Sequence, residues 1–380
     1  MTSETQWVNE IYEKMEQKLY AECARMGEKI PYWTVGGVYE EDYAKKDIYW
    51  WTNGFWSGIL WQLYHATKNE LYLETARKNE DLLDQALHGF IGLHHDTGFM
   101  WLHSAVADYR LTGSEEAKVR GLNAASVLAG RYNPNGKFIR AWNPECVEEG
   151  EDCTGWIIVD SMMNIPLLYW AGQITGDPRF QQIAVNHADT VASYLVREDG
   201  SCGHIACINP DTGELEHILG GQGYSETSSW SRGQSWILYG FALSYRHTKN
   251  KKYLDIAKKT AHYFISNIAL TGYIPLCDFR QPASAAYTDT SAGLCAACGL
   301  LEIAEHVDEC EKNLYRTYAE LILKHTAETC CDWNPDTDGI VQNCKVAFHN
   351  DRREQTDLIY ADYFLTEAVL RLLDKDFLIW

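Results

Sequence analysis

Apolar positions along this chain recur with the period of an α-helix, in pairs of segments that repeat. In each pair, a segment rich in small and apolar residues is followed after a short turn by an amphipathic segment with charges on one face. Such pairs predict helical hairpins. The predicted helices are residues 51–67 with 70–87, 98–112 with 115–131, 160–175 with 178–196, 231–248 with 252–268, 291–307 with 312–329, and 360–373 with 4–25.

The turns inside four of these hairpins resemble one another, at residues 67–69, 112–114, 175–177 and 248–250. Asp177 before Pro178 is an N-cap followed by proline at the first helical position, and Ser114 can cap in the same manner. Self-similar hairpins indicate a closed or stacked helical array. Six hairpins with long, uneven loops favour an all-α fold, an (α/α)6 barrel, over an open solenoid. We expect a single catalytic domain over residues 1–380.

Long polar inserts precede the predicted inner helices, at residues 133–159, 198–231, 271–290 and 334–358. In a barrel these inserts would gather at one end, and functional residues concentrate in loops on a rigid scaffold. Several inserts contain strand-like pieces, such as residues 201–208. The sequence therefore predicts small strands in the loops at the active-site end of the barrel.

The charge balance bears on possible partners. Asp and Glu number 53 against 33 Lys and Arg, for a formal charge of -20, and no basic cluster supplies a face for nucleic acid. The first twenty residues lack an apolar signal core, and no run is long enough to span a membrane. We therefore expect a cytoplasmic protein with no nucleic-acid or membrane partner, as a monomer or homodimer.

The chain has 12 cysteines, which fit reduced and mostly buried thiols in that compartment. Cys295 and Cys298 have the spacing of a metal or redox motif. They lie inside an apolar helical run, however, and no second pair stands at zinc spacing. This context favours core packing for both.

The segment at residues 221–236 is polar, aromatic and rich in glycine, and it leads into an apolar helix. Trp230 and Trp236 offer flat apolar faces, Gln222 offers directional hydrogen bonds, and Arg232 offers a planar cation. This mixture suits an acidic carbohydrate, and the 14 Trp and 23 Tyr of the chain agree with a sugar-binding cleft. A tryptophan-capped loop with a salt-bridged arginine is the alternative.

Two carboxylates stand where loops enter inner helices, Asp96 and Asp160. Apolar residues flank Asp160 on both sides, so desolvation is expected to raise its pKa, and a second acid nearby would raise it further. A carboxyl that stays protonated near neutral pH is a useful general acid. Alternatively, Asp160 only caps the helix that follows it.

A metal site is not expected. His94 and His95 are adjacent, so they point in different directions, and no partners at suitable spacing accompany them. Phosphate-binding and dinucleotide fingerprints are also missing from the sequence. We therefore expect no metal and no cofactor.

The segments around these aspartates, histidines and tryptophans resemble those of the unsaturated glucuronyl hydrolases, glycoside hydrolase family 88. The similar segments occur in the family's order along nearly the whole chain: WTNGFW (51–56), HDTGF (95–99), RAW (140–142), IVDSMMN (158–164), QGY (222–224), WSRGQSW (230–236) and DYF (362–364). The resemblance implies the (α/α)6 barrel and a metal-free mechanism. Family 105, the unsaturated rhamnogalacturonyl hydrolases, shares the fold and the paired aspartates.

The resemblance also implies an unusual reaction. Substrates of the family are fragments left by polysaccharide lyases, whose terminal uronate carries a C4=C5 double bond. Asp160 would protonate C4, and the ionised Asp160 would then take a proton from water as it adds at C5. The hemiketal that results opens and releases the rest of the saccharide. Asp96 would bind ring hydroxyls and keep the pKa of Asp160 high.

Supporting roles follow from the same resemblance. Trp142 and one of Trp50 or Trp51 would stack on the sugar, and Trp236 would close the pocket wall. His204, Gln222 and Arg232 would hold the uronate carboxylate or position water. The matching segments add three further residues to the expected substrate-binding set: Asn53, Phe99 and Trp230.

The expected function is thus release of a 4,5-unsaturated uronate from glycosaminoglycan oligosaccharides of the chondroitin, hyaluronan or heparin type. The alternatives are an unsaturated rhamnogalacturonyl hydrolase, a conventional inverting glycosidase, and a sugar-binding protein without turnover. Family members that accept sulfated fragments carry Ser and Lys in the loop before the last helix. Here that loop contains Arg352 and Arg353 instead, which leaves a preference for sulfate open.

Overall fold

The structure, a computed structural model, describes residues 3–350 and 356–380. Its α-helices follow one another along the chain as α1 Ser3–Met26, α2 Tyr43–Lys46, α3 Phe55–Thr67, α4 Glu70–Gly89, α5 Thr97–Trp101, α6 Ala107–Thr112, α7 Glu115–Gly130, α8 Ser161–Asn164, α9 Pro166–Thr175, α10 Pro178–Tyr194, α11 Ser231–Thr248, α12 Lys251–Ile268, α13 Thr290–Ala304, α14 Glu309–Thr329 and α15 Ile359–Leu372.

These helices form an (α/α)6 barrel. The inner ring runs from α3 through α5 and α6, α8 and α9, α11 and α13 to α15, which packs back against α3 and closes the ring. Outer helices α4, α7, α10, α12 and α14 each pack on an inner neighbour, and α1 covers α15. The six predicted hairpins and the all-α barrel are confirmed, with boundaries that agree to within a few residues.

The similar turns inside the hairpins share one hydrogen-bonding pattern. In the first, Thr67 donates its hydroxyl to the carbonyl of Leu63 at 2.7 Å and accepts the N–H of Asn69 at 3.2 Å. The Asn69 side chain then caps α4 by accepting the N–H of Leu71 at 3.1 Å. The same threonine and capping side chain recur after α9 and α11. In the first turn, Lys68 lies between Thr67 and Asn69 and takes the left-handed conformation. This local chemistry reverses the chain at each hairpin.

Two inner helices are interrupted where unbroken helices were predicted. A π-helical turn over Leu102–Val106 separates α5 from α6. The segment at 160–175 divides into α8 and α9 because Pro166 has no N–H and begins the second helix. A 3-10 turn, Trp51–Gly54, leads into α3 in place of the first predicted helical turn. All three irregularities lie in the inner ring.

Small antiparallel sheets occupy the long inserts, as expected. Strands β1 Tyr132–Asn133 and β2 Phe138–Ile139 pair with each other. Strands β3 Trp156–Ile158, β4 Ile205–Ile208 and β5 Leu215–Leu219 form a second sheet in that order. Since β3 ends just before Asp160, the register of Ile158 opposite Ile205 fixes where that residue leaves the sheet.

The barrel interior is filled by aromatic and small side chains. Phe364 stacks on Trp380 with ring centroids 6.2 Å apart, and the indole of Trp380 donates to Glu367 at 2.9 Å. Cys295 and Cys298 are fully buried in α13, which confirms their core-packing role. Among the described residues, no helix combines the length and apolar character needed to cross a bilayer.

Candidate active site

A cavity of about 550 Å³ opens between the loops at one end of the barrel. Most of the residues that the sequence singled out line it: Trp50, Trp51, Asp96, Trp142, Asp160, Gln222, Trp230, Arg232 and Trp236. The inserts and inner-helix ends that carry these residues are far apart in the sequence. Closure of the helical ring brings them together.

The two candidate carboxylates lie at the starts of neighbouring inner helices. Asp96 directly precedes α5, and Asp160 directly precedes α8. A Cβ on Gly98 would lie 2.4 Å from the Cα of Asn164, so only glycine permits this close approach of the two helices. Asn164 in turn donates to Oδ1 of Asp96 at 3.0 Å. The glycine and the asparagine thus hold Asp96 beside the Asp160 helix.

His95 lies between the two carboxylates. Its Nε2 is 3.5 Å from Oδ1 of Asp96 and 3.6 Å from Oδ1 of Asp160. The imidazole is fully buried, and neither ring nitrogen makes a hydrogen bond with the described residues. One buried ring therefore contacts both acids at the edge of the cavity.

The environment raises the pKa of both carboxyls. Burial raises the pKa of Asp160 to about 7, opposed in part by the positive charge of Arg232. Burial and then repulsion from Asp160 raise the pKa of Asp96 well above its usual range. At the N-cap position of α8, Asp160 makes no capping hydrogen bond with its side chain. Asp160 therefore occupies the N-cap position of α8, but its carboxyl does not cap the helix.

The histidines of the site are neutral. Burial lowers the pKa of His94 and of His204 to about 3, and it lowers the pKa of His95 well below the usual range. Contacts such as that of His94 Nδ1 with Asp96 Oδ2 at 3.3 Å are therefore polar contacts of an uncharged imidazole rather than ion pairs. The carboxyl pair has no cationic histidine beside it.

Arg232 lies against the cavity with its guanidinium firmly held. Its Nη1 donates to Asp289 and, at 2.7 Å, to the carbonyl of Lys345, while Nη2 donates to the carbonyl of Val346. The guanidinium also stacks 4.4 Å from the ring of Trp230. Among the described residues that line the cavity, Arg232 is the one Lys or Arg side chain.

The remaining lining residues are aromatic or polar. Trp51 packs on Phe55 and Phe99, and Trp142 lies 6.2 Å from Trp156, each leaving part of its surface toward the cavity. Gln222 donates its amide to the carbonyl of Val346 at 2.9 Å. The cavity thus offers flat apolar faces and hydrogen-bonding groups, a combination typical of sugar sites.

Three residues of the expected set lie behind the cavity wall. Asn53 is buried and donates to the carbonyls of Asp47 and Ile48 at 3.0 and 3.1 Å. Phe99 is buried beneath Trp51 and Trp236, with centroids 5.4 and 5.3 Å away. His204 accepts the backbone N–H of Gln222 at 3.0 Å. Their contacts help to fix the positions of the residues that do line the cavity.

Sequence reasoning missed several residues of the site. His95 and Asn164 stood inside the recognised segments, but their contacts with the acids follow from the meeting of two helices. No sequence feature marked Asp289 as a residue of the site, apart from its position before α13. Other missed residues line the cavity: Tyr32, Asp47, Tyr49, Gly92, His94, Glu145, Cys146 and Val346.

One group of side chains has the proximity that a metal ion needs. Ligand atoms of His94, His95 and Asp96 all lie within 4.8 Å of one another, alone among the described residues. Oδ1 of Asp96 already accepts the Asn164 amide, and the three residues are consecutive in sequence. We assign no metal to this group, and a metal-free site stays a prediction. Arg352 and Arg353 lie outside the described residues.

Comparison with known proteins identifies the family of this chain. A model of Glycosyl Hydrolase Family 88 matches residues 32–246. An unsaturated glucuronyl hydrolase of Bacillus sp. (strain GL1) is 35% identical over 357 residues, which cover 92% of this chain and 92% of that protein. An unsaturated chondroitin disaccharide hydrolase of Streptococcus agalactiae is 32% identical, over 98% of this chain and 93% of that protein.

A solved structure gives the same relationship. A mutant unsaturated glucuronyl hydrolase from Streptococcus agalactiae, complexed with dGlcA-GalNAc6S, superposes with a TM-score of 0.83 at 29% identity, covering 98% of this chain and 93% of that one. The barrel, its carboxylate pair and these relatives define a glycoside hydrolase. The chain belongs to glycosyl hydrolase family 88.

Proposed function

We propose that this glycoside hydrolase releases the 4,5-unsaturated uronate from the non-reducing end of lyase-generated glycosaminoglycan disaccharides of the chondroitin, hyaluronan or heparin type. The observation that carries the proposal is a buried carboxyl, Asp160, whose pKa is raised to about 7 inside a sugar-sized cavity. The names of the relatives, which include an unsaturated chondroitin disaccharide hydrolase, support the substrate class.

In the proposed reaction Asp160 acts first as an acid. An enol ether accepts a proton at carbon, so protonation of C4 by Asp160 leaves an oxocarbenium-like cation shared by C5 and the ring oxygen. Water then adds its oxygen to C5 and gives a proton to the ionised Asp160. The hemiketal opens to a ketone at C5 by breaking the bond to the ring oxygen. The hemiacetal left at C1 then collapses to an aldehyde and releases the remaining saccharide, which leaves a keto acid. One carboxyl with a pKa near the working pH serves both steps.

The neighbouring groups prepare this chemistry. Asp96, whose pKa is raised further by Asp160, is the member of the pair that stays protonated and can hydrogen-bond ring hydroxyls. Arg232 supplies the positive charge for the uronate carboxylate, and Gln222 supplies an amide beside it. Trp142 and one of Trp50 or Trp51 offer faces on which the sugar ring can stack.

A substrate panel tests the function. Unsaturated chondroitin, hyaluronan and heparin disaccharides should lose the absorbance of the enol ether on incubation with the protein. A saturated disaccharide of the same composition and an unsaturated rhamnogalacturonan fragment serve as controls. Asp160→Asn should abolish the absorbance change while binding of the disaccharide, measured by calorimetry, is retained. Equal turnover of the saturated disaccharide would make the protein a conventional glycosidase.

We also propose that residues 1–380 form one catalytic domain, acting in the cytoplasm as a monomer or homodimer. The 12 cysteines are all free thiols, and most of them are buried, which suits a reducing compartment. Light scattering coupled to size-exclusion chromatography measures the oligomeric state directly.

A further inference from the structure

Asp289 binds Arg232, which carries the one guanidinium among the described residues that line the cavity. It precedes α13 and accepts a hydrogen bond from Nη1 of Arg232, and both side chains are almost completely buried. Asp289 does not itself line the cavity. Its influence on a ligand must therefore act through the arginine.

The contacts of Asp289 fix its own position. Its Oδ1 accepts the backbone N–H of Ser291 at 3.2 Å and the hydroxyl of the same residue at 2.5 Å. The N–H of Lys345 is 3.3 Å from the same oxygen. A carboxylate with this many donors has little freedom, so it can orient a partner rather than follow it.

The arginine is left with unused donors. A guanidinium carries five N–H groups. The bonds to Asp289, Ser291, Lys345 and Val346 occupy both donors on Nη1 and one on Nη2. No acceptor among the described residues takes the others. Asp289 and the two carbonyls thus fix the plane of the guanidinium, and the remaining donors stay available to a ligand in the cavity.

The charge of this pair matters to the acid as well. Arg232 is close enough to Asp160 for its positive charge to favour the ionised carboxylate. A negative charge held directly on Arg232 offsets part of that field. Without it, Asp160 would ionise more easily and would spend less time as the protonated acid.

We propose that Asp289 is a positioning residue, which orients the Arg232 guanidinium toward the substrate carboxylate and offsets its charge beside Asp160. The proposal rests on the proposed function for the identity of the substrate. The contact between Asp289 and Arg232 and its electrostatic consequence do not depend on it.

Among the described residues, the titratable groups that face Arg232 besides Asp289 include Tyr360, Tyr32, Cys277, Cys295 and His204. The charged or titratable neighbours of Asp160 are Asp96, His95 and Arg232. Of these groups, Asp160 is the one whose pKa is raised to about 7, so a substitution at Asp289 should change the alkaline limb that Asp160 sets.

The test is the pH dependence of kcat/KM in Asp289→Asn, because this ratio reports ionisations of the free protein. The alkaline limb should move to lower pH by about half a unit or more, because Asp160 ionises more easily beside an unbalanced arginine. Asp289→Glu, which keeps the charge, should restore the limb toward that of the unsubstituted protein. Asp278→Asn is the matched control, since Asp278 is equally buried and bonds to Ser228 and Tyr224 rather than to Arg232. An unshifted limb in Asp289→Asn, or an equal shift in Asp278→Asn, would overturn the proposal.

A double-mutant cycle covers the case in which Asp289→Asn does not fold. Removing both charges leaves no unpaired buried ion, so Arg232→Gln/Asp289→Asn should fold. It should match Arg232→Gln alone in kcat/KM, since Asp289 then has no guanidinium to orient. A further loss in the double variant, with its melting temperature unchanged, contradicts the proposal.

A measurement without turnover separates this proposal from the proposed function. Carbon-13 labelling of aspartate carboxyls, with the Asp160 signal assigned by its loss in Asp160→Asn, reads the same ionisation in the free protein. A lower pKa of Asp160 in Asp289→Asn supports the positioning role even if the disaccharides are not substrates. An unchanged pKa overturns it even if they are.

Discussion

Oδ1 of Asp160 lies 3.6 Å from Nε2 of His95, an imidazole with no exposed surface. The same nitrogen lies 3.5 Å from Asp96. Neither contact is a hydrogen bond, but an N–H at Nε2 would place positive partial charge close to both acids. Such an N–H would favour the ionised form of Asp160, which is the form that takes a proton from water in the second step of the proposed reaction.

Removing this donor should slow the reaction and change its pH dependence. In His95→Phe we expect kcat to fall by about 10–100-fold. The alkaline limb should move to higher pH, because the ionised Asp160 loses a stabilising contact. His95→Gln keeps an N–H donor without a titrating ring and should recover part of the rate. The same loss in both variants, with no shift of the limb in either, would show that His95 only fills space.

The alkaline limb of kcat/KM, which reports ionisations of the free protein, should reflect a carboxyl group with a pKa of about 7, the value to which burial raises Asp160. The acid must be protonated to begin the reaction, so activity falls as pH rises through that value. Burial lowers the pKa of His94 and His204 to about 3, so neither histidine titrates there.

Temperature separates these two assignments. Ionisation of a carboxyl has almost no enthalpy, whereas that of imidazole is strongly endothermic. We expect pH profiles recorded at two temperatures to give the same limb. A limb that moves to lower pH on warming would point to a histidine and contradict the assignment.

The lining of the cavity includes two exposed carboxylates, Asp47 and Glu145, that have no cation within 4 Å among the described residues. They repel an anionic uronate as it approaches. Asp47→Asn/Glu145→Gln should therefore raise kcat/KM several-fold at low ionic strength, and salt should remove most of the gain. The control is Asp255→Asn/Glu328→Gln, which changes the same charge on the exposed surface of α12 and α14. Equal gains in the two pairs would contradict a local effect.

Asp362 belongs to one of the recognised segments but lies away from the cavity. It is fully buried in α15, accepts the backbone N–H of Val341 at 2.8 Å, and burial raises its pKa to about 7. A carboxyl whose folded pKa exceeds its unfolded value of about 3.9 stabilises the fold below the unfolded value, and this stabilisation is lost as pH rises through about 7.

Denaturant unfolding across pH measures this linkage. The free energy of unfolding should decline between about pH 4 and pH 8, with Asp362 contributing roughly 2–4 kcal/mol of the decline. Asp362→Asn should flatten the curve, and the exposed substitution Asp255→Asn should not. A curve of the same slope in Asp362→Asn would show that this carboxyl does not set the pH dependence.

The barrel could be predicted because its hairpins are specified locally. Thr67 and its counterparts bond within a few residues, and the following caps do the same. Pro166 indicated that the 160–175 segment could be divided, but the apolar periodicity led to the prediction of one unbroken helix. The π-helical turn at Leu102–Val106 had none, although the backbone contacts of His103 and Ser104 accompany it.

The site was predictable only in part, for a related reason. Asp160 and Arg232 stand in distinctive segments, so resemblance found them. The contact of Arg232 with Asp289 joins residues 57 positions apart, and that of Asn164 with Asp96 spans 68. These pairs meet only because the ring of inner helices closes. The sequence around Asp289 and Asn164 does not indicate which residue each of them contacts.

Proton transfer from Asp160 to C4 of the substrate is the first step of the proposed reaction. Running the reaction on an unsaturated chondroitin disaccharide in deuterated water, with rapid quenching before the released keto acid exchanges, tests this step by mass spectrometry and NMR. We predict one deuterium at C4 of the new product, in a single configuration, and no product with Asp160→Asn. Release of a uronate that keeps its C4=C5 bond and carries no deuterium at C4 would contradict the account.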